Sequence, residues 1–298
     1  LFAFSRLPPS MVVCLGGLAC RFFLLRGINQ PLSFPYCLIS QTTPLGMVKA
    51  AILEGVEKLS ITDYPVPEVE VDGMLLRMEL CGVCGTDMHI YGGNMKVPCP
   101  IIPGHEFVGV VEEIGDEAKD YEVRGRPIGV GDRVVVVPGT NRFCGGCYGC
   151  RFMPHKPTLC TNRKVMGVNM TSAEAPHLNG GWAEKVYVDA EHFWVYRVPD
   201  EVPPEVAVLS EPMAVSSRAF ERAVAPGLPT YGEGFRLGGS VVVQGAGAIG
   251  LLAVATAELA GAGNIISVDV VDERLRMAER LGADHVIDMR QYLSLIHI

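Results

Sequence analysis

Val241-Val242-Val243-Gln244-Gly245-Ala246-Gly247-Ala248-Ile249-Gly250 is an unbroken apolar run that ends in three glycines at G-x-G-x-x-G spacing. A triple valine without polar alternation reads as a strand of a parallel sheet, buried on both faces. The glycines allow a tight turn, close approach of a phosphate and close helix packing. Leu251 to Ala260 then has the composition and periodicity of a helix, whose N-terminus supplies amide donors and a positive dipole. Alone the motif is weak, since ordinary glycine-rich turns share it. Its context strengthens it. Ile265 to Val268 reads as the next strand, Glu273 to Leu281 as the next helix with Asp272 as N-cap, and His285 to Ile287 as the start of a third strand. Strand and helix alternate as in a doubly wound α/β fold.

Asp269 ends the second strand 19 positions after Gly250, where a carboxylate accepts hydrogen bonds from an adenosine ribose. Gly245, Gly247, Ile249, Gly250, Asp269 and Arg274 are therefore the expected cofactor-binding residues. Asp269 would repel a 2′-phosphate, which favours NAD over NADP unless Arg274 or Arg276 swings across to offset it.

Upstream, Glu205 to Ala223 is rich in Ala, Glu and Arg at helical spacing, interrupted by Pro212, and reads as helices linking two domains. A loop from Pro226 to Gly239 joins them to the glycine motif. From Met47 to about Pro203 the pattern changes to short apolar or alternating runs: Met74 to Leu80, Phe107 to Val111, Val134 to Val137 and Ala183 to Val188. Pro65, Pro67, Gly131, Pro138 and Gly180 punctuate them, as a compact, barrel-like β domain requires. Residues 1–46 are expected to be an upstream extension, with Met47 as the start. Their apolar stretch, Met11 to Leu25, is broken by Arg21 and too short to span a membrane, and no clean signal cleavage site follows.

The 298 residues carry a formal charge of −8 and are 49% hydrophobic and 19% charged. That suits two packed domains and a small-molecule partner, and it argues against nucleic acid, which needs clustered Lys and Arg. Four of the ten cysteines lie within Cys144 to Cys160. Such clustering points to metal thiolates in a reducing cytoplasm rather than to secreted disulfides. Cys144, Cys147, Cys150 and Cys160 offer a closed Cys₄ set, the arrangement of a structural zinc. Free thiols or a nucleic-acid zinc ribbon are the alternatives. The flanks are not strongly basic, and a ribbon leaves the glycine motif unexplained.

A second group lies in Cys81-Gly-Val-Cys84-Gly-Thr-Asp87-Met-His89 and Gly104-His105-Glu106. Taken singly, His105 reads as a buried, hydrogen-bonded histidine and Cys81 with Cys84 as a redox pair. Together with flanking glycines and the dinucleotide motif they read as zinc ligands.

These motifs, in this order from about Met47 to Met289, resemble the zinc-containing alcohol dehydrogenases of the medium-chain dehydrogenase/reductase superfamily. The resemblance implies a GroES-like β-barrel catalytic domain over residues 47–212 and a partial Rossmann domain over 213–290. Cys84 and His105 would hold a catalytic zinc, with Asp87 orienting the histidine and Glu106 near the metal. The Cys₂His set of alcohol dehydrogenase is a standard example of a catalytic zinc site, and this sequence departs from it. Ser210-Glu211-Pro212 resembles the Glu-Pro motif of the polyol, sorbitol and threonine dehydrogenase branch, which makes Glu211 the implied third ligand. The nine-residue gap before Cys160 is slightly longer than usual.

The implied activity is hydride transfer between a secondary, polyol-like alcohol and NAD. Thr86 would accept the alcohol proton and His89 would release it, in a homodimer or homotetramer. A zinc-free reductase of the same superfamily and a non-catalytic zinc scaffold are the rivals. A Rossmann domain uses six strands and only the first two and the start of a third are visible here. Residues 291–298 read as a non-native tail. The chain as given is therefore expected to bind zinc but neither to bind NAD tightly nor to turn over any alcohol.

Overall fold

The computed structural model describes residues 46–141, 144–154, 156–224 and 234–292. The expectations for residues 1–45, and for 293–298 at the tail, lie outside them. The chain forms two compact units that divide between Leu209 and Ser210.

The first unit contains β1 (Met47–Gly55), β2 (Lys58–Pro65), β3 (Gly73–Cys81), α1 (Gly85–Tyr91), β4 (Phe107–Ile114), β5 (Arg133–Val136), α2 (Tyr148–Phe152), β6 (Lys185–Asp189), β7 (Val195–Arg197) and α3 (Pro204–Ala207). Strands β6-β3-β4-β5-β7 form one antiparallel sheet, and β1 pairs with β2 as a hairpin. The hairpin joins the rest through the Ala50–Ala183 bridge and the Ala51 N–H, which donates to Trp182 O at 2.8 Å. That is the form the expected barrel-like domain takes. Strand β3 is buried along almost its whole length, because it lies inside the sheet between β6 and β4. Met74, Leu76, Met78, Phe107, Val111, Val134, Val186 and Val188 fill the main core, each contributing about 1.5–3 kcal/mol by burial. This rigid sheet carries α1 and the loop before β4, on which the metal-capable residues stand.

The second unit contains α4 (Ser210–Ala223), β8 (Ser240–Gln244), α5 (Ala248–Leu259), β9 (Asn264–Asp269), α6 (Asp272–Arg280) and β10 (His285–Asp288). The strands pair in parallel in the order β10-β9-β8. Val243, Val254, Ala257, Ile265 and Ala278 form its core. Three details depart from the sequence reading. Pro212 does not interrupt α4, since it sits in the first turn, where a missing N–H removes no helical bond. Asp272 is inside α6, and the N-cap is Val271. The Asp269 carboxylate accepts the Val270 and Val271 amides instead, which leaves Asp272 to favour the helix dipole in the first turn. Finally, β8 is not covered on both faces among the described residues: Val243 is buried but Val242 is 64% exposed.

Candidate functional site

Strand β3 ends at Cys81, and the chain turns through Gly82 and Val83 to place Cys84 at the N-cap of α1. Asp87, three residues on, closes a capping box by accepting the Cys84 N–H on Oδ2 at 2.8 Å. Its Oδ1 accepts the Gly104 N–H at 3.4 Å and lies 3.5 Å from His105 Nδ1. One fully buried carboxylate thus ties together the two segments that carry Cys84 and His105. Gly104 has φ +93°, and a Cβ there would stand 2.4 Å from Trp182 and 2.7 Å from Cys81 Sγ, so only glycine fits.

Cys84, His105 and Glu106 bring one ligand atom each within 4.8 Å of one another. Glu106 is drawn in by Gly82, whose missing side chain leaves room for the carboxylate: a Cβ there would meet Glu106 Oε2 at 2.3 Å. Cys81 stays outside this group, buried and with its thiol held well above the ordinary range by burial and by the charges of Asp87 and Glu106. Burial pulls the His105 pKa down, but hydrogen bonds and charges of Asp87 and Cys84 outweigh it and hold it up at about 10. Burial also raises the Glu106 carboxyl. His105 Nδ1 is buried without a hydrogen bond of good geometry. A half-buried thiol, a buried imidazole and two carboxylates, of which Asp87 is buried and Glu106 half-buried, favour positive charge among them, and the soft and borderline donors suit zinc.

The other expected residues fall as follows. The Cys84 thiol donates to Thr86 Oγ1 at 3.7 Å. His89 is exposed in the last turn of α1. Glu211 is the second residue of α4, in the second unit.

Cys144, Cys147, Cys150 and Cys160 form a separate group within 4.8 Å. The Cys144–Cys150 and Cys147–Cys150 sulfur distances are 3.8 and 3.5 Å. Tetrahedral zinc with bonds of about 2.3 Å requires sulfurs about 3.8 Å apart. The Cys147 N–H donates to Cys144 Sγ at 3.4 Å, and the Cys150 N–H to Cys147 Sγ at 3.5 Å. Backbone amides hold Cys147 down to about 5 and lower Cys144, whereas burial and the neighbouring thiols push Cys150 up to about 12. The longer gap to Cys160 closes because the chain folds back over α2, where a Cβ on Gly149 would meet Leu159 O at 2.4 Å. A third group, Asp189, Glu191 and His192, was not read from the sequence. It clasps the turn after β6: the Asp189 carboxylate meets His192 Nδ1 and accepts the His192 N–H.

In the second unit Gly245 has φ +91° and Gly247 is the N-cap of α5, with nothing within 4 Å of where a Cβ would stand. Gly250 is forced: its Cβ would stand 1.8 Å from Gly245 O. Ile249 is 44% exposed. Asp269 is buried at the end of β9, with Oδ2 accepting the Ala246 N–H at 2.7 Å and Arg274 Nη1 3.7 Å away. The amides around the carboxylate keep it below its ordinary range against the opposing effect of burial.

Comparison with known proteins places this arrangement. The alcohol dehydrogenase GroES-like domain matches residues 70–200, and the zinc-binding dehydrogenase family matches residues 248–297. Sorbitol dehydrogenase of Bacillus subtilis is 31% identical over 264 residues, covering 87% of this chain and 66% of the relative. An L-threonine 3-dehydrogenase of Anaeromyxobacter is 34% identical over 247 residues, covering 82% and 62%. Among solved structures, an alcohol dehydrogenase of Thermotoga maritima superposes with a TM-score of 0.72 at 33% identity, covering 82% of this chain and 64% of that one. A zinc-binding dehydrogenase of Sinorhizobium meliloti bound to NADP gives a TM-score of 0.68 at 31% identity, covering 82% and 63%. The chain spans just under two thirds of the length of these curated relatives. A GroES-like unit with two thiol-bearing clusters, followed by a Rossmann-like parallel sheet, defines a zinc-binding dehydrogenase. The chain belongs to the zinc-dependent alcohol dehydrogenases of the medium-chain dehydrogenase/reductase superfamily.

Proposed function

We propose that the protein to which this chain belongs is a zinc-dependent oxidoreductase that moves a hydride between a secondary, polyol-like alcohol and NAD. The convergence of Cys84, His105 and Glu106 beside a buried Asp87 carries the reading. The donor sets fit zinc in both clusters: the four cysteines form a closed set, whereas Cys84 and His105, with Glu211 as third ligand, leave a position open. When bound, zinc supplies the Lewis acidity that makes an alcohol acidic near neutral pH, and NAD supplies the hydride acceptor.

The chain's own residues do the rest. Asp87 fixes the orientation of His105 and the backbone at Cys84, so the pair keeps its geometry whether or not substrate is present. Thr86, next to the Cys84 sulfur, would take the alcohol proton on its hydroxyl oxygen as its own proton passes by way of the cofactor ribose towards exposed His89, which releases it to water. The glycine turn receives the pyrophosphate at the start of α5. The Asp269 carboxylate disfavours a 2′-phosphate, which supports NAD over NADP. Glu211 and the sorbitol and threonine dehydrogenase relatives support a polyol or amino-alcohol substrate. No helix among the described residues is long and apolar enough to cross a membrane, and the cysteine chemistry supports a cytoplasmic protein, assembled as a homodimer or homotetramer.

Metal analysis should find two zinc ions per folded chain, and the full-length protein should reduce NAD with a polyol or secondary alcohol. Zinc at neither cluster in protein purified without chelator would overturn the metal assignment. Two zinc ions with no hydride transfer over a broad alcohol panel would overturn the activity.

A further inference from the structure

The Asp269 side chain is only 6% exposed, and three backbone amides converge on it. The Ala246 N–H donates to Oδ2 at 2.7 Å, and the N–H groups of Val270 and Val271 donate to Oδ1 at 2.7 and 2.9 Å. A carboxylate offers about four lone-pair sites, so three are occupied, and Arg274 Nη1, 3.7 Å from Oδ2, stands near the fourth. One residue earlier, the Gly245 N–H donates to Val268 O at 2.7 Å. The glycine turn is therefore tied to β9 at two successive residues, once by backbone and once by this side chain. The tie leaves Gly247 facing open space at the head of α5.

We propose that Asp269 is first a positioning residue that holds the glycine turn in its anion-receiving shape, and that Arg274 is the group a cofactor ribose displaces from it. The proposal rests on the dinucleotide reading of this turn. Displacing the Ala246 amide would strand a buried donor. Arg274 is 35% exposed and makes a longer contact, so it swings into solvent at little cost. A ribose hydroxyl then takes the released site on Oδ2 while the turn stays tied.

The two roles of Asp269 separate with a ligand that has no ribose. If the carboxylate served only the ribose, Asp269→Asn would leave inorganic pyrophosphate bound as well as before or better, because a negative charge near it is gone. If the carboxylate holds the turn, the same substitution weakens pyrophosphate binding. We would measure amide hydrogen exchange of the full chain without ligand, then titrate pyrophosphate into it and NAD into the full-length protein calorimetrically. In the wild-type chain the Ala246 amide should be protected and the Gly247 amide should not. In Asp269→Asn, Ala246 should exchange about tenfold faster or more, β9 amides should stay protected, and pyrophosphate should bind several-fold more weakly. Arg274→Met should keep Ala246 protected and tighten NAD several-fold.

Wild-type Ala246 exchanging as fast as Gly247 would overturn the proposal, as would Asp269→Asn with unchanged exchange and undiminished pyrophosphate affinity. If Asp269→Asn unfolds the second unit, the wild-type exchange pattern and Arg274→Met decide alone, and weaker NAD binding in Arg274→Met overturns the displacement. A full-length protein that binds no NAD would sink the dinucleotide reading, while Ala246 protection would still decide the tie.

Discussion

Asp87 shows how much one buried carboxylate does in this protein. It satisfies the N-terminal amide of α1, receives the Gly104 amide from seventeen positions away and lies beside His105. Asp87→Ala should therefore release both ligand segments and weaken metal binding at the open cluster by roughly 10–100-fold while the four-cysteine cluster stays filled. Cobalt substitution separates the two, since thiolate-rich and mixed-donor sites differ in absorption. Equal loss at both clusters would show that Asp87 acts through global folding. The same logic applies to Glu211→Ala, which should empty the open cluster and spare the other. Glu122 offers a test of a different kind. Its buried carboxylate accepts hydrogen bonds from the Arg126 guanidinium and from the Arg124, Arg126 and Arg197 amides. Burial works against the charge, but these bonds prevail and hold the pKa at about 2, below the ordinary 4.5. A depressed folded pKa stabilises above the unfolded value, and the contribution fades as pH falls from 4.5 towards 2. Glu122→Gln should cost roughly 2 kcal/mol near neutral pH and flatten the acid limb of a stability profile over that window. An acid limb identical to that of the wild type would refute the assignment.

At the scale of elements, what the sequence revealed was local. Cysteine spacing, glycine spacing and the apolar runs each lie within a few residues of the structure they specify, so β8, the turn at Gly245 and the Cys144–Cys150 loop were all legible, whereas the helix α1, which carries Asp87 and His89, reads in the sequence only as a strand or loop edge. Contacts set by the fold were not. Nothing in the order of letters shows that Gly82 makes room for Glu106, or that Asp269 is occupied by the amide of Ala246, 23 residues earlier. The triple valine reads as covered on both faces, yet Val242 is 64% exposed, because coverage is decided by partners and not by the strand itself. The closure of Cys160 is another such case. It depends on Gly149 letting the Leu159 carbonyl lie against α2. Gly149→Val should push that turn away and lower zinc occupancy of the four-cysteine cluster, while the hydrophobic core of the sheet and the open cluster persist. Metal content by cluster, with circular dichroism as the fold control, checks this. Full zinc occupancy in Gly149→Val would mean that the loop closes by another route.

At the scale of the whole molecule, the two units have separate cores, and apart from the proposed ligand Glu211 their ligand chemistry divides between them. The first holds both thiol-bearing clusters and the antiparallel sheet, and the second holds the glycine turn and the parallel strands. Whatever binds only the folded state stabilises the unit that binds it, by an amount that grows with ligand concentration over Kd. Zinc should act on the first unit, because α2 and the Cys160 turn have little apolar core of their own and depend on their sulfurs for order. NAD or pyrophosphate should act on the second. Thermal unfolding followed by hydrogen exchange, which reports β3 and β9 separately, should therefore show two transitions with different responses. Chelation should lower the β3 transition by several degrees and move β9, whose unit shares zinc only through the proposed ligand Glu211, by less, whereas pyrophosphate should raise β9 and leave β3 unmoved. The four-cysteine lobe should open before β3 in the chelated chain, since it loses its cross-link while the sheet keeps its core. A single transition displaced equally by chelator and by pyrophosphate would show that the units fold as one cooperative body, and the division of labour between them would then fail.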